Sequence, residues 1–381
     1  MNNHNILRSI IAFAFLLTVG IVSFCPHIAD AVTLYEQHNL VSDISGVADY
    51  LDSNLVNPWG ITSSSTSPFW ISDNNTGVST IYNGSGQPNA LIVTIPPPSG
   101  GTSPSSPTGV VFNGSSDFSG AHFIFATEDG TIAGWTSGTV AALKVDNSGL
   151  GAVYTGLAIG SNISGNFLYA ANFSTGTIDV YDTNYNQAFL AGSFTDPNLP
   201  AGYAPFNIKN IGGKLYVTYA LQDTSKQDAV AGAGNGIVDV YDTNGNLLQR
   251  LVSQGGYLNA PWGIVLAPSI FGDFSNELLI GNFGDGSINA FDPLTGNFIG
   301  QMLDSMGNPL SIEGLWGLIV GNGGNGGDVN TLYFTAGISG GGNIEDHGLF
   351  GSLHPIPEPS TILLLGIGLA GGGLLRRRFN N

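Results

Sequence analysis

The sequence predicts an all-β fold, a six-bladed β-propeller, from two observations. A unit of about fifty residues recurs six times, and no long stretch repeats its apolar positions with the period of a helix. Short alternating apolar runs are broken by Asn-Gly, Asp-Gly and Thr-Gly turns, the pattern of many short strands. Between Val32 and Ile356, 25 acidic residues face five basic ones, Lys144, Lys209, Lys214, Lys226 and Arg250. A surface so acidic repels nucleic acid and anionic membrane, and it favours solubility outside the cell.

The units begin at Pro58-Trp59-Gly60-Ile61, Pro107-Thr108-Gly109-Val110, Tyr154-Thr155-Gly156-Leu157, Pro205-Phe206-Asn207-Ile208, Pro261-Trp262-Gly263-Ile264 and Leu315-Trp316-Gly317-Leu318. Their intervals are 49, 47, 51, 56 and 54 residues. Pro sets the turn into the innermost strand, Gly permits close backbone approach near the axis, with Asn207 in its place in the fourth unit, and aliphatic residues pack between blades. A second strand ends in polar residues, as in Phe69–Asn74 and Leu278–Asn282. A third shows the clearest internal match: Ile178-Asp179-Val180-Tyr181-Asp182-Thr183-Asn184 recurs as Val238-Asp239-Val240-Tyr241-Asp242-Thr243-Asn244. The Asp-Thr-Asn ends lack the full ligand series of a calcium loop and read as hairpin turns. The sixth unit supplies only three strands, Leu318–Val320, Thr331–Thr335 and Gly348–Leu353. Leu34–Ser42 is therefore expected to close the ring as the outer strand of the last blade, leaving no open edge.

The ends are of another kind. Arg8 precedes an apolar run from Ile10 to Phe24, and Ala29-Asp30-Ala31 offers a small-x-small cleavage site, so residues 1–31 are expected to be a signal peptide. The only cysteine, Cys25, lies in that segment, so the remainder offers no disulfide. The propeller is expected over 32–354 and a sorting segment over 355–381. That segment reads Pro357-Glu358-Pro359, an apolar run from Ile362 to Leu375 and Arg376-Arg377-Arg378. Fourteen residues, five of them Gly, are short of the ~20 of a stable transmembrane helix, so the run suits transient anchoring in the inner membrane with the arginines held cytoplasmic. The three parts in this order resemble the PEP-CTERM sorting signal. The resemblance implies export, cleavage by an exosortase, and a link to exopolysaccharide. The repeating units resemble NHL-type and gluconolactonase-like six-bladed propellers, and the chain reads much like an uncharacterised family of PEP-CTERM propellers.

In a propeller, the turn into the innermost strand and the loop between the second and third strands share one face. The first position holds Trp59, Thr108, Thr155, Phe206, Trp262 and Trp316; the second holds Asp73, Asn74, Glu128, Asp129, Asn172, Asp223, Asn282 and Asp285, with Glu345, Asp346 and His347 in the last unit. Three Trp and a Phe around a ring of amides and carboxylates suggest a shallow cup for sugars; the same positions also suit blade packing and turn capping. Gln222–Gly236 is long enough to cover that cup, and Pro96–Pro107 reads as a mobile surface loop. The expected ligand-binding residues are Trp59, Asp73, Asn74, Glu128, Asn172, Phe206, Trp262, Asn282 and Trp316. No cofactor is required. The gluconolactonase resemblance implies one alternative, a divalent-metal hydrolase or lactonase, with Glu128, Asn172, Asn282 and Asp73 as oxygen ligands for an ion such as Ca2+.

Overall fold

The structure, a computed structural model, describes residues 32–356. Six sheets surround one axis, five formed by consecutive antiparallel strands of one unit and the last by three such strands joined by two from the start of the propeller. The innermost strands are Pro58–Thr62, Pro107–Phe112, Tyr154–Asn162, Tyr203–Ile211, Pro261–Leu266 and Leu315–Val320, so five units start at the first residue of the sequence signature and the fourth two residues before it. Among the described residues no helix is long and apolar enough to cross a membrane. The expected leader and the Pro-Glu-Pro tail lie outside the described residues.

The blades meet through apolar layers, one between each neighbouring pair. Blades 1 and 2 share Trp70, Ile81, Phe123 and Phe125; blades 5 and 6 share Leu279, Ile288, Leu318 and Phe334. Alternation along each strand sends its two rows of side chains into the two flanking layers, which is why one sheet alone cannot bury both faces.

Ring closure is as expected. Tyr35–Ser42 runs antiparallel to Leu349–Pro355, in a register from Tyr35 opposite Pro355 to Ser42 opposite Leu349 with a bulge between Asn39 and Val41. The Ile356 N–H adds a further bond to the Leu34 carbonyl at 2.8 Å. A two-residue strand, Tyr50–Leu51, then pairs in parallel outside it, so the last sheet has five strands.

Blade 3 has only three strands. Its Asp182 turn forms as expected, with the carboxylate accepting the Asn184 and Asn186 N–H groups, but the chain beyond makes only a Tyr181–Gln187 bridge. The equivalent Asp242 turn does join two full strands, Ile237–Tyr241 and Leu247–Val252. The segment that replaces the missing strand is wedged against blade 4: Phe194 packs between Tyr169 and Tyr241, and Arg250 pairs with Asp196 of the segment and with buried Asp239. The loop between blades 1 and 2, expected to be mobile, is tied down where Ser105 donates to the Ile95 carbonyl at 2.7 Å and the Ser99 N–H reaches Asp146 at 2.8 Å.

The innermost strands touch backbone to backbone. A Cβ on Gly60 would lie 2.3 Å from the Thr108 carbonyl oxygen, one on Gly109 2.4 Å from the Leu157 nitrogen, one on Gly263 2.5 Å from the Trp316 oxygen, and one on Gly317 2.7 Å from the Trp59 oxygen. The signature glycine thus admits the next blade. Blade 4 carries Asn207 there, and its amide spans the junction by donating to the Trp262 carbonyl at 2.8 Å. Gly263→Ala is expected to destabilise the fold by about 1–3 kcal/mol through overpacking. Gly149→Ala, at a site with nothing within 4 Å, serves as the control and should change stability by less than ~0.5 kcal/mol. Denaturant unfolding measures both, and equal midpoints would refute the close-approach argument.

Candidate functional site

The axis is closed by aromatic rings. Trp316 is fully buried and stacks on Trp59 with centroids 3.6 Å apart and on Phe283 at 4.1 Å. Trp262 meets Trp59 and Trp316 edge-on at 6.1 and 5.8 Å, and Phe206 reaches the same two rings at 6.4 and 5.8 Å. Four of the expected sugar-stacking residues therefore come together, but as a buried plug and not as open faces at a mouth. Their apolar surface is satisfied by one another, which is the lower free-energy arrangement for large aromatics that converge on an axis. The Trp262 indole N–H donates across the axis to the Thr155 carbonyl at 3.0 Å. Next to the plug, the axis is lined by the ring glycines and Lys209 and encloses only about 20 Å3, room for a single water. Burial pulls the Lys209 ammonium below its usual range.

A chain of acids and amides sits on the loop-bearing face. Asn57 precedes Pro58 with a left-handed backbone, φ 49°, a conformation Asn tolerates better than most residues. Its Oδ1 accepts the Trp316 indole N–H at 3.0 Å, and its Nδ2 is shared among Glu345 Oε1, Asn75 Oδ1 and Asn74 Oδ1 at 3.3–3.5 Å. Asn74 in turn donates to Glu128 Oε2 at 2.7 Å, and Asn75 donates to the Glu345 carbonyl at 2.8 Å. The sequence Glu128–Asn74–Asn57–Glu345 thus links blades 2, 1 and 6, anchored on the plug through Trp316. Burial pushes the Glu128 carboxyl up to about 7, with the charges of Glu345, Asp228 and Asp129 adding to the shift against the Asn74 hydrogen bond. Burial likewise pushes Glu345 up to about 7, helped by Asp228 and opposed by Asn57.

Asp228 belongs to the Gln222–Gly236 loop. Ala229 of the same loop packs against the aromatic plug, and Gln222 donates to the Phe173 carbonyl. The loop therefore reaches the aromatic plug. Glu345 itself has φ 76°, a strained backbone of the kind that costs ~1–3 kcal/mol and gathers at functional sites.

The four oxygen ligands suggested by the gluconolactonase resemblance do not meet. Asp73 is fully buried with one oxygen accepting the Thr80 N–H at 2.9 Å, and burial holds its carboxyl well above the usual range. The Asn172 side-chain oxygen accepts the Val153 N–H, and that of Asn282 accepts the Asn259 N–H at 2.8 Å. Both asparagines brace the turn ahead of their own innermost strand, so their oxygens are committed to backbone. Glu128 bonds to Asn74 of the neighbouring blade. This quartet does not fit a cation.

Neither Asn57 nor Asn75 is marked as a site residue by the repeat, because each lies one or two positions outside the places that recur from unit to unit. The signal for Asn57 was its place before Pro-Trp-Gly, where a left-handed residue must turn the chain inward.

Two uncharacterized proteins of Acanthamoeba polyphaga mimivirus align over most of their length. One is 35% identical over 85% of this chain and 81% of its own, the other 34% identical over 80% and 83%. The chain belongs to their family. A virginiamycin B lyase from Staphylococcus aureus shares the fold, with a TM-score of 0.51 at 15% identity, covering 85% of this chain and all of that one. The model of the PEP-CTERM protein-sorting motif matches residues 355–378. The family's propeller therefore carries, in this chain, a PEP-CTERM signal that points to export and to recognition by an exosortase. The match begins at the last residue of the final strand, Pro355.

The two raised glutamates make a pH prediction. The ordinary glutamate value is 4.5, and both fold at about 7, so the native state holds protons that the unfolded chain has released in between. Stability from this pair is greatest on the acid side and falls as pH rises through that window. Glu128→Gln with Glu345→Gln keeps the acceptors and removes the titration. The melting temperature of the variant relative to wild type should rise between about pH 5 and pH 8. Parallel profiles would show that the carboxyls are not buried as described.

Proposed function

We propose that the chain is an exported, envelope-associated or extracellular propeller that binds glycan on its loop-bearing face and has no chemistry along its axis. The aromatic plug carries the reading: it blocks passage through the centre and leaves ligand contact to the amides and carboxylates of the face. The charge, −20 between Val32 and Ile356, disfavours anionic polymers, so the glycan is neutral. The sorting signal supports the placement outside the inner membrane, and the exopolysaccharide link implied by that signal supports the ligand class. A glycan array probed with the purified full chain should show retention on neutral polysaccharides and none on uronate-rich ones. Silence on both would reject the reading.

A second reading, a hydrolase, is favoured by Glu128 and Glu345, since carboxyls poised near neutral pH suit proton transfer. Release of reducing ends from a retained glycan, abolished by Glu128→Gln, would favour it over simple binding.

The exosortase step has its own test. Replacing Pro357, Glu358 and Pro359 by Ala should leave the C-terminal segment attached in cells that carry an exosortase, whereas the wild-type chain is shortened. Intact mass of the C-terminus decides, and equal masses for the two would count against processing at this motif.

A further inference from the structure

A cavity of about 350 Å3 opens away from the axis, between the loops that lead into and out of blade 5. Its size falls at the lower end of the ~300–1,000 Å3 of small-molecule sites. One wall is Tyr257, more than half exposed, whose ring lies flat on Phe298 with centroids 3.5 Å apart and planes 11° from parallel. The Tyr257 carbonyl accepts the Asn289 amide at 2.6 Å and the Asn282 amide at 3.4 Å, so the residue is braced through ring and backbone alike. A rigid aromatic left half in water has lost the freedom to hide its surface, which suits it to receive an apolar face of a ligand.

The polar lining complements that wall. Asn289 is buried, its NH2 is committed to Tyr257, and its Oδ1 has no hydrogen-bond partner among the described residues. The Gln301 amide and the Tyr257 hydroxyl likewise have none, although both line the cavity. Asp285 Oδ1 accepts both the Ser287 N–H at 3.0 Å and the Ser287 hydroxyl at 2.6 Å, and Oδ2 accepts the Asn259 amide at 2.9 Å, which leaves a further lone pair on Oδ2. The lining holds one carboxylate and no cationic side chain. Acceptors therefore outnumber donors, and no group is present to neutralise a phosphate or uronate.

We infer that this cavity is a subsite for one uncharged sugar ring of a glycan: the ring stacks on Tyr257 and its hydroxyls donate to Asp285 and Asn289 and exchange bonds with Gln301. The inference rests on the glycan reading above and moves its contact point from the central face to blade 5. Saturation-transfer NMR and calorimetry on the full chain, with N-acetylglucosamine, cellotetraose and laminaritetraose as probes at millimolar concentration, test it. Tyr257→Ala and Gln301→Ala should each weaken the best probe by about tenfold or more. Tyr257→Phe, which keeps the ring, should weaken it less, and Gly149→Ala, outside the cavity lining, should leave it unchanged. Thermal melting checks that each variant is folded. Binding that survives Tyr257→Ala and Gln301→Ala but is lost with Asn74→Ala overturns this subsite while sparing the glycan reading. No binding of any probe or array glycan by the wild-type chain overturns both.

Discussion

At five of the six junctions between innermost strands, a single methyl group would collide with the next backbone. At Gly60, Gly109, Gly263 and Gly317 the missing Cβ is what lets one blade's main chain lie against its neighbour's. Side chains reinforce the contact where geometry allows: Thr108 donates to the Tyr154 carbonyl at 2.6 Å, and Thr335 to the Trp59 carbonyl at 2.6 Å. These are short polar bonds across a junction that is otherwise apolar, and they fix the angle between blades. With the strands so close, the residues before each glycine have nowhere to go but inward, and the large ones must share a small volume. The aromatic plug is the outcome of that crowding.

The plug then organises the face above it. The one exit for the Trp316 indole N–H is Asn57, and the bond fixes which way the Asn57 amide points. Its NH2 must then face Glu345 and the two asparagines of blade 1, and Asn74 passes the same polarity on to Glu128. A carboxylate at each end of an amide chain is a stable arrangement only if the amides donate outward, as they do. Burial raises the Glu128 and Glu345 carboxyls toward neutral pH, and the negative charge of Asp228 adds to it. Local packing thus sets the protonation of carboxyls belonging to two different blades, 2 and 6.

The repeat, its period, the number of blades and the closing strand were all legible, because a fifty-residue periodicity and a three-stranded last unit leave one way to seal a ring. The site was legible only in outline. Trp59, Phe206, Trp262 and Trp316 were found by their shared position, yet whether such rings point at solvent or at one another depends on the radius of the ring, which no spacing in the sequence encodes. Asn172 and Asn282 look alike in sequence to ligand-binding amides, and their real partners are backbone N–H groups some twenty residues upstream. The Tyr257 cavity drew on linkers between units, where no repeat compares one residue with another. The missing fourth strand of blade 3 was hidden because its turn, Asp182-Thr183-Asn184, is the same as one that does start a strand.

The seam at the rim carries a consequence for how the molecule is made. Tyr35–Ser42 is among the first parts of the propeller to leave the ribosome, and its partner Leu349–Pro355 is the last. An early strand must therefore wait, exposed, for more than three hundred residues before it can be zipped in. Since Pro355 is also where the sorting motif begins, the latch shuts beside the handle by which the chain is gripped. A sorting enzyme that cuts just past the latch would thus act on a circle already clasped, and trimming would cost the finished body none of its strands.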